Sequence, residues 1–61
     1  MIVELTKAGS LRKATINTRS IEIVSPVDDG TLVELKHGAV VVTESYEQVV
    51  KIWQDAVEQG L

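Results

Sequence analysis

Residues 45–58, SYEQVVKIWQDAVE, decide how the rest of this chain must fold. Their apolar members recur every three or four positions, which is the spacing of one face of an α-helix and predicts a helix over residues 46–58. These apolar residues are Tyr46, Val49, Val50, Ile52, Trp53, Ala56 and Val57. A helix with such a wide apolar stripe must pack on a sheet or on another helix.

The two ends of this helix carry their own signals. Ser45 is a favoured N-cap residue, and Gln48 three positions later completes a capping-box pattern. Glu44 and Glu47 add negative charge near the positive end of the helix dipole. Gly60 is the expected stop at the C-terminus of the helix. The helix is therefore predicted from its ends as well as from its period.

The chain upstream of the helix predicts about four to five short β-strands, because alternating or β-branched residues are separated by turn signals. The predicted strands span about residues 1–7, 11–17, 20–25, 31–36 and 39–43. Pro26 is expected to end the third strand, since it cannot donate a ladder hydrogen bond, and the Asp29-Gly30 pair predicts a tight hairpin. We therefore expect an α+β fold, a small antiparallel β-sheet followed by one C-terminal amphipathic helix, as a single domain over residues 1–61.

The period of two along each strand predicts which side chains face the core. Those predicted to point inward are Ala14, Ile16, Ile21, Ile23, Val33 and Leu35. Residues 39–43 are almost wholly apolar, so we expect this strand to be covered on both faces or to lie centrally in the sheet.

A length of 61 residues allows only a thin core. A chain of this size buries about 60% of the surface that its unfolded form exposes, and small natural domains usually add a disulfide, a metal or a partner. The chain has no cysteine and one histidine, which excludes disulfides, thiolate metal sites and His-rich metal sites. We therefore expect support from a partner protein or from self-association as a homo-oligomer.

The sequence also bears on location. No apolar run approaches the roughly 18 residues that a membrane span requires. Residues 1–4 carry no basic region and no cleavage site of the kind found in signal peptides. The lack of cysteine fits a reducing compartment. We therefore expect a cytoplasmic protein with no membrane insertion.

Charge is distributed unevenly along the chain. The net charge is −3, yet Lys7, Arg12, Lys13 and Arg19 give residues 5–21 a charge of +4 without any acid, so the remainder carries −7. Such a segment is either a binding face or the solvated surface of a strand and loop. The four basic residues are accordingly a candidate binding face, including for nucleic acid, although the segment has no aromatic residue for base stacking.

The sequence offers no set of residues suited to catalysis. His37 is the one side chain that titrates near neutral pH, but a general base needs a nucleophile and an orienting partner, and only Glu34 and Lys36 are near it in sequence. Asp28 and Asp29 lack the additional oxygen ligands of a calcium loop. We therefore predict that the protein is not an enzyme and holds no cofactor or metal.

The aromatic residues Tyr46 and Trp53 lie on the apolar face of the predicted helix. Aromatic residues anchor many interfaces but also fill cores, so Trp53 belongs either to the core or to an oligomer or partner interface. The two are compatible if the helix packs across a dimer. We take Tyr46, Val50, Trp53 and Val57 as candidate interface residues.

A series of short motifs follows a fixed order along nearly the whole chain. The motifs are Met1-Ile2, Leu5-Thr6, Ile16-Asn17, Ile21-Glu22, Pro26, Asp29-Gly30-Thr31, Leu32-Val33-Glu34-Leu35, Gly38, Val42-Thr43-Glu44-Ser45 and Val49-Val50. In this order they resemble the FlbD family of small flagellar proteins, also called swarming motility proteins. The resemblance implies a bacterial, non-enzymatic protein that supports flagellar assembly or motor function in the cytoplasm, and it implies no catalytic residue.

Two other interpretations stay open. Met1, Leu5, Lys7 and Gly9 faintly resemble the opening of the carbon storage regulator family, whose members are dimeric RNA-binding proteins, although that family's Ala-Pro step and Arg-Glu-Glu helix start are missing here. A small dimeric RNA-binding regulator that uses the four basic residues is therefore one alternative. The other is a phage or accessory protein that acts by docking a sheet edge on a host protein.

Overall fold

The computed structural model describes residues 1–59, which form five strands and one α-helix. The strands are β1 (Ile2–Thr6), β2 (Lys13–Asn17), β3 (Ile21–Val27), β4 (Gly30–Leu35) and β5 (Gly38–Val42). A single 3-10 turn, Thr18–Ser20, joins β2 to β3, and the helix α1 spans Tyr46–Gln59. The predicted α+β fold class is confirmed, and the predicted helix stop at Gly60 lies outside the described residues.

The strands form two small antiparallel sheets rather than the one sheet that was predicted. The first sheet is the β1–β2 hairpin, and the second has the order β3-β4-β5. The two meet at one corner, where Lys7 bridges to Val42. There the Ala8 amide donates to the Val41 carbonyl at 2.9 Å, and the Thr43 amide donates to the Thr6 carbonyl at 2.8 Å. The end of β1 is thus hydrogen-bonded to the end of β5.

The helix begins where its sequence predicted. The Gln48 amide donates to Ser45 Oγ at 3.2 Å, and the Ser45 amide donates to Gln48 Oε1 at 3.0 Å. These reciprocal bonds are the predicted capping box, and they satisfy amides that have no partner within the helix. No helix in residues 1–59 is long and apolar enough to cross a membrane.

One apolar cluster holds both sheets and the helix together. Its buried members are Leu5, Ile16, Ile21, Val33, Val42 and Val49. Partly buried residues pack around it, namely Val3, Val24, Leu35, Val40, Ile52 and Trp53. Each fully buried aliphatic side chain stabilises the fold by about 1.5–3 kcal/mol. Every described element except the 3-10 turn supplies one of the buried members, so all of them contribute to one core.

The third strand differs from its prediction at both ends. It continues through Pro26 to Val27 instead of stopping at residue 25. This is possible because Pro26 pairs with Thr31 in an edge strand, where the proline nitrogen, which carries no proton, faces away from the ladder. Near the start, the register shifts between Ile21 and Ile23. This bulge turns Ile23 outward, where it is 53% exposed, so the prediction that it faces the core is wrong.

Two further predictions about strands are wrong. The second strand begins at Lys13 and not at residue 11, because Leu11 has a φ of +59° and lies in the turn. The strand β5 is not central, since β4 occupies the middle of the three-stranded sheet. Within β5, Ala39 is exposed and only Val42 is fully buried.

The β3–β4 hairpin is present as predicted, but Gly30 lies in the strand β4 and not in the turn. Asp28 and Asp29 form the two-residue turn, and Gly30 is the first residue of β4. Gly30 has a φ of +143°, and a Cβ atom there would overlap the backbone carbonyl of Val42. A glycine is therefore required by the close approach of β5 as well as by the backbone angle.

Candidate functional site

The four residues predicted as an interface line one open groove on the surface. The groove has a volume of about 530 Å³ and lies between α1 and the middle of β3. We call it the helix groove, and it is lined by Val24, Tyr46, Val50, Trp53, Gln54, Val57 and Glu58. The fold therefore brings the candidate interface residues together, and their role in binding stays a prediction.

The helix groove exists because the apolar stripe of α1 is wider than the sheet beneath it. Val49 and Ala56, at the centre of the stripe, are buried, whereas Val57 at its flank is 56% exposed. Positions i, i+4, i+7 and i+11 share one flank of a helix. This flank carries Tyr46, Val50, Trp53 and Val57. The groove is thus a direct consequence of helical spacing.

Trp53 contributes to both the core and the helix groove. It is half-buried, it packs against the buried apolar cluster, and it also lines the groove. The two interpretations of Trp53 from the sequence are therefore compatible within a single chain. A tryptophan in this position presents a rigid apolar surface to anything that enters the groove.

Charge on the helix is predominantly negative. Three carboxylates, on Glu47, Asp55 and Glu58, stand against one ammonium, on Lys51. Lys51 Nζ lies 3.7 Å from Asp55 Oδ2, and both side chains are exposed. Glu58 lines the groove, beside the amide of Gln54. An apolar wall with a carboxylate at its margin suits an apolar side chain that is flanked by a cation.

The four basic residues do not form one face. Lys7, Arg12 and Lys13 are exposed at the turn end of the β1–β2 hairpin. Arg19 lies beyond the other end of β2, so about 13 Å of strand separates it from them. Arg19 instead lines a second depression, of about 180 Å³, together with Val57. The structure therefore brings three of the predicted basic residues together and leaves the fourth apart.

Residues 7–13 form a compact turn, which we call the basic tip. The Lys7 amide donates to the Arg12 carbonyl at 2.8 Å, and the Leu11 amide donates to the Lys7 carbonyl at 3.0 Å. The Arg12 amide donates to Ser10 Oγ at 3.3 Å. Gly9 has a φ of +88°, which side-chain-bearing residues rarely adopt. These bonds give the turn a defined shape.

Leu11 is the large apolar residue of the basic tip, and its exposure was not predicted from the sequence. Its side chain is 71% exposed, and its φ of +59° lies in the left-handed region that leucine seldom occupies. The available signal was a single aliphatic residue between Gly9-Ser10 and Arg12-Lys13, where a turn is more natural than a strand.

Glu44 is a second residue whose role the sequence did not indicate. Its carboxylate accepts hydrogen bonds from the Thr6 amide at 2.9 Å and 3.2 Å, and its carbonyl accepts one from the Thr31 hydroxyl at 2.7 Å. Thr31 is fully buried, so this last bond satisfies a hydroxyl that has no access to water. Glu44 therefore connects β1, β4 and the start of α1.

The carboxylate of Glu44 is held in its charged form. Partial burial by itself raises its pKa, but hydrogen bonds from the amide and side chain of Thr6 and from its own amide, with the nearby positive charge of Lys13, act more strongly in the other direction. The pKa of Glu44 therefore lies below its ordinary value. Lys13 Nζ also donates to Thr6 Oγ1 at 3.2 Å, so this corner of the molecule is a small polar network.

The residues considered for catalysis or metal binding lie in exposed turns. His37 is exposed in the β4–β5 turn, and Asp28 and Asp29 are exposed in the β3–β4 turn. Within residues 1–59, no group of three or more histidine, aspartate or glutamate side chains is arranged to hold a metal ion. No buried side-chain nitrogen or oxygen in that range lacks a hydrogen-bond partner. The candidate interface residues instead line the helix groove, and three of the four basic residues lie at the basic tip.

Comparison of the chain with protein-family models, with curated proteins and with solved structures gave no match. Support for a function therefore comes from the helix groove and from the order of motifs in the sequence.

Proposed function

We propose that this chain is a small, non-enzymatic protein-interaction module that binds protein through the helix groove. The observation that carries the proposal is the groove itself, an apolar surface on a short chain with Tyr46, Trp53 and the exposed Val57 in line. Contiguous exposed apolar surface on a soluble domain commonly marks an interaction site. Tryptophan and tyrosine are the residue types that most often dominate binding at such sites.

The size of the chain supports the same proposal. A single core of about 60 residues supplies only about 3–5 kcal/mol of stability. Covering Val57 and the outer side of Trp53 with a protein would remove further apolar surface from water. Binding to the folded state also stabilises it by mass action. A partner at the helix groove would therefore supply stability that the short chain alone lacks.

The biological setting that we propose is flagellar. The order of motifs from Met1-Ile2 to Val49-Val50 resembles the FlbD family, which implies a cytoplasmic protein that supports flagellar assembly or motor function. A docking module without catalytic groups fits such a supporting role. Its partner at the helix groove would then be a second copy of the chain or a flagellar component.

The groove can be tested by site-directed photocrosslinking. The chain has no cysteine, so Gln54→Cys introduces a single thiol into the groove for a photoactivatable label. Lys51→Cys places the same label on α1 at an exposed position that does not line the groove. We expect a discrete adduct, identified by mass spectrometry as a second copy or a flagellar component, from the Gln54 variant alone. Equal labelling from both positions would contradict a groove-specific interaction.

The flagellar setting needs a separate test, in the organism that encodes the chain. Deletion of the coding sequence should reduce swimming in soft agar, and the wild-type chain should restore it. The variant Val57→Lys, which places a charge in the groove, should fail to restore swimming. The control Gln59→Lys adds the same charge to α1 at a residue that does not line the groove. Unchanged swimming after deletion would refute the flagellar role without bearing on the groove.

A further inference from the structure

We propose that the occupant of the helix groove is the basic tip of a second copy of this chain, with Leu11 inserted into the groove. This inference rests on the proposed function, because it names the partner at the same groove. It differs from a symmetric dimer in which two helices face each other. The tip of one copy meets the groove of the next, so the contact is made by two different surfaces.

The backbone of Leu11 is strained although its side chain is exposed. The Leu11 side chain is 71% exposed, so its burial contributes little to the stability of the single chain. Its left-handed backbone is sterically unfavourable for a leucine. Asparagine or glycine would fit the same turn with less strain. Backbone strain that persists at an exposed apolar residue indicates a role outside the fold of the single chain.

The basic tip holds Leu11 in a fixed position. Hydrogen bonds link Lys7 to Arg12 and to Leu11, and the Ser10 hydroxyl accepts from the Arg12 amide. The tip is also tied to β5, since the Ala8 amide donates to the Val41 carbonyl. A side chain that is already held in place loses less conformational entropy when it binds.

The basic tip and the helix α1 carry opposite net charges. Residues 7–13 carry three cations and no acid, whereas α1 carries three carboxylates and one lysine. Glu58 lines the helix groove and would lie beside the cations that flank Leu11. The aromatic faces of Tyr46 and Trp53 can accept the Arg12 guanidinium by cation–π contact. Opposite charges would steer the two surfaces toward each other and set their orientation.

The basic tip and the helix groove are separate surfaces, and self-association through the edge of β3 is obstructed. The lining of the helix groove comes from β3 and α1, with no contribution from residues 1–19. A chain can therefore offer its tip and its groove at the same time, and repetition of the contact gives a closed ring or an open filament. Pairing through the free edge of β3 is disfavoured, because Pro26 and the bulge near Ile21 interrupt that edge.

The test uses two variants that each remove one of the surfaces. Leu11→Asn removes the apolar side chain, keeps the charge and suits the left-handed backbone, so it should fold. Val57→Lys places a cation in the groove, where it would repel the basic tip. Light scattering behind a sizing column should show wild-type protein well above the chain mass of 6.7 kDa at high concentration. Each variant alone should be monomeric, with self-association weakened by at least about tenfold, which corresponds to roughly 1.4 kcal/mol.

Mixing the two variants gives the decisive result. The Leu11→Asn chain retains its groove and the Val57→Lys chain retains its tip, so an equimolar mixture should form a one-to-one dimer and nothing larger. Gln59→Lys, which adds the same charge to α1 outside the groove lining, should assemble like the wild type.

Other outcomes would overturn the proposal in distinguishable ways. If Val57→Lys and Gln54→Lys, of which the second changes the helix groove alone, both dissociate the assembly and Leu11→Asn does not, the groove is an interface but its occupant is not the basic tip, and the proposed function stands. If the wild type is monomeric at every concentration, a second copy is not the occupant. Crosslinking from Gln54→Cys to a flagellar component would then retain the proposed function without this inference.

Discussion

The β1–β2 hairpin and the β3–β5 sheet with its helix use their residues in different ways. The hairpin gives Leu5 and Ile16 to the core and presents exposed, mainly basic residues at its turn. The sheet and helix supply most of the remaining core, and their helix still has apolar surface that the sheet does not cover. A chain this short can therefore have one shared core and still present two unlike surfaces.

The largest expected effect follows from the shared core, which requires the hairpin and the rest of the chain to unfold together. Leu5→Ala should destabilise the protein by about 3 kcal/mol, because Leu5 is fully buried in the shared cluster. That is most of the roughly 3–5 kcal/mol expected for a domain of this size. Urea unfolding should show Trp53 fluorescence and circular dichroism lost together at a much lower midpoint.

The control for this substitution lies on the same strand. Ile2→Ala removes an exposed side chain, so its effect should be within about 0.5 kcal/mol. If the Trp53 signal in Leu5→Ala stayed native while strand signal was lost, the two regions would be separate folding units that do not depend on one shared core.

The next prediction concerns the close approach of β5 to the β3–β4 turn. Gly30→Ala should cost about 2 kcal/mol, because the new Cβ would overlap the Val42 carbonyl and the backbone angle disfavours it. Gly38→Ala is the matched control, since a Cβ at Gly38 meets open space. Thermal unfolding of both variants measures the difference, and equal melting temperatures would contradict this account of Gly30.

The stability of the protein should depend on pH through Glu44, which lies at the corner between the two regions. Its folded-state pKa is lowered, so its contribution to stability is present above the unfolded pKa, about 4.5, and is lost as pH falls through the folded value. Glu44→Gln should therefore cost about 1 kcal/mol near pH 7 and progressively less below about pH 4.5. Urea titrations across pH 2–7 measure this. The exposed control Glu22→Gln should change stability little, and a pH-independent loss for Glu44→Gln would refute the charge-based explanation.

A substitution at the basic tip should change stability by a smaller amount, and it should raise stability instead of lowering it. Leu11→Asn should raise the stability of the dilute monomer by up to about 1 kcal/mol, because asparagine tolerates the left-handed backbone. Leu11→Ala retains the strain and should give no such gain. The melting temperature measured at low concentration distinguishes the two, and a loss of stability in Leu11→Asn would show that Leu11 supports the fold of the single chain.

The smallest expected effect concerns RNA binding by the basic residues. Three of them lie at the tip and Arg19 lies apart, so we expect only weak binding that disappears at moderate salt. A mobility-shift titration with wild type, Arg19→Gln and the triple variant of Lys7, Arg12 and Lys13 to glutamine tests this. Tight binding that is lost in both variants would favour the RNA-regulator alternative over the protein-interaction module.

The features that could be predicted from sequence are those set by neighbours in the chain. The helix from Tyr46, its capping box and the shared flank of the helix groove all depend on residues within about a dozen positions. Helical spacing fixes which side chains share a flank before any tertiary contact forms. Three of the four candidate basic residues are likewise together because they are close in sequence.

The features that could not be predicted depend on contacts between elements that are separate in the sequence. The bulge that exposes Ile23 depends on the register of β3 against β4, which no pattern within β3 contains. Pro26 remains in its strand because that strand is at an edge. Glu44 finds its partner Thr6 at a separation of 38 residues, and nothing near Glu44 in sequence signals that contact.

The contact between Glu44 and Thr6 also has a kinetic consequence. Hairpins and helices form within microseconds, because their contacts are local. The bond from residue 44 to residue 6 spans 38 positions and closes most of the chain into a loop. Such distant contacts slow folding, since chain entropy is lost before the contact is gained. The time this protein takes to fold should therefore be set by the arrival of β1 at the start of the helix, after the individual elements have formed.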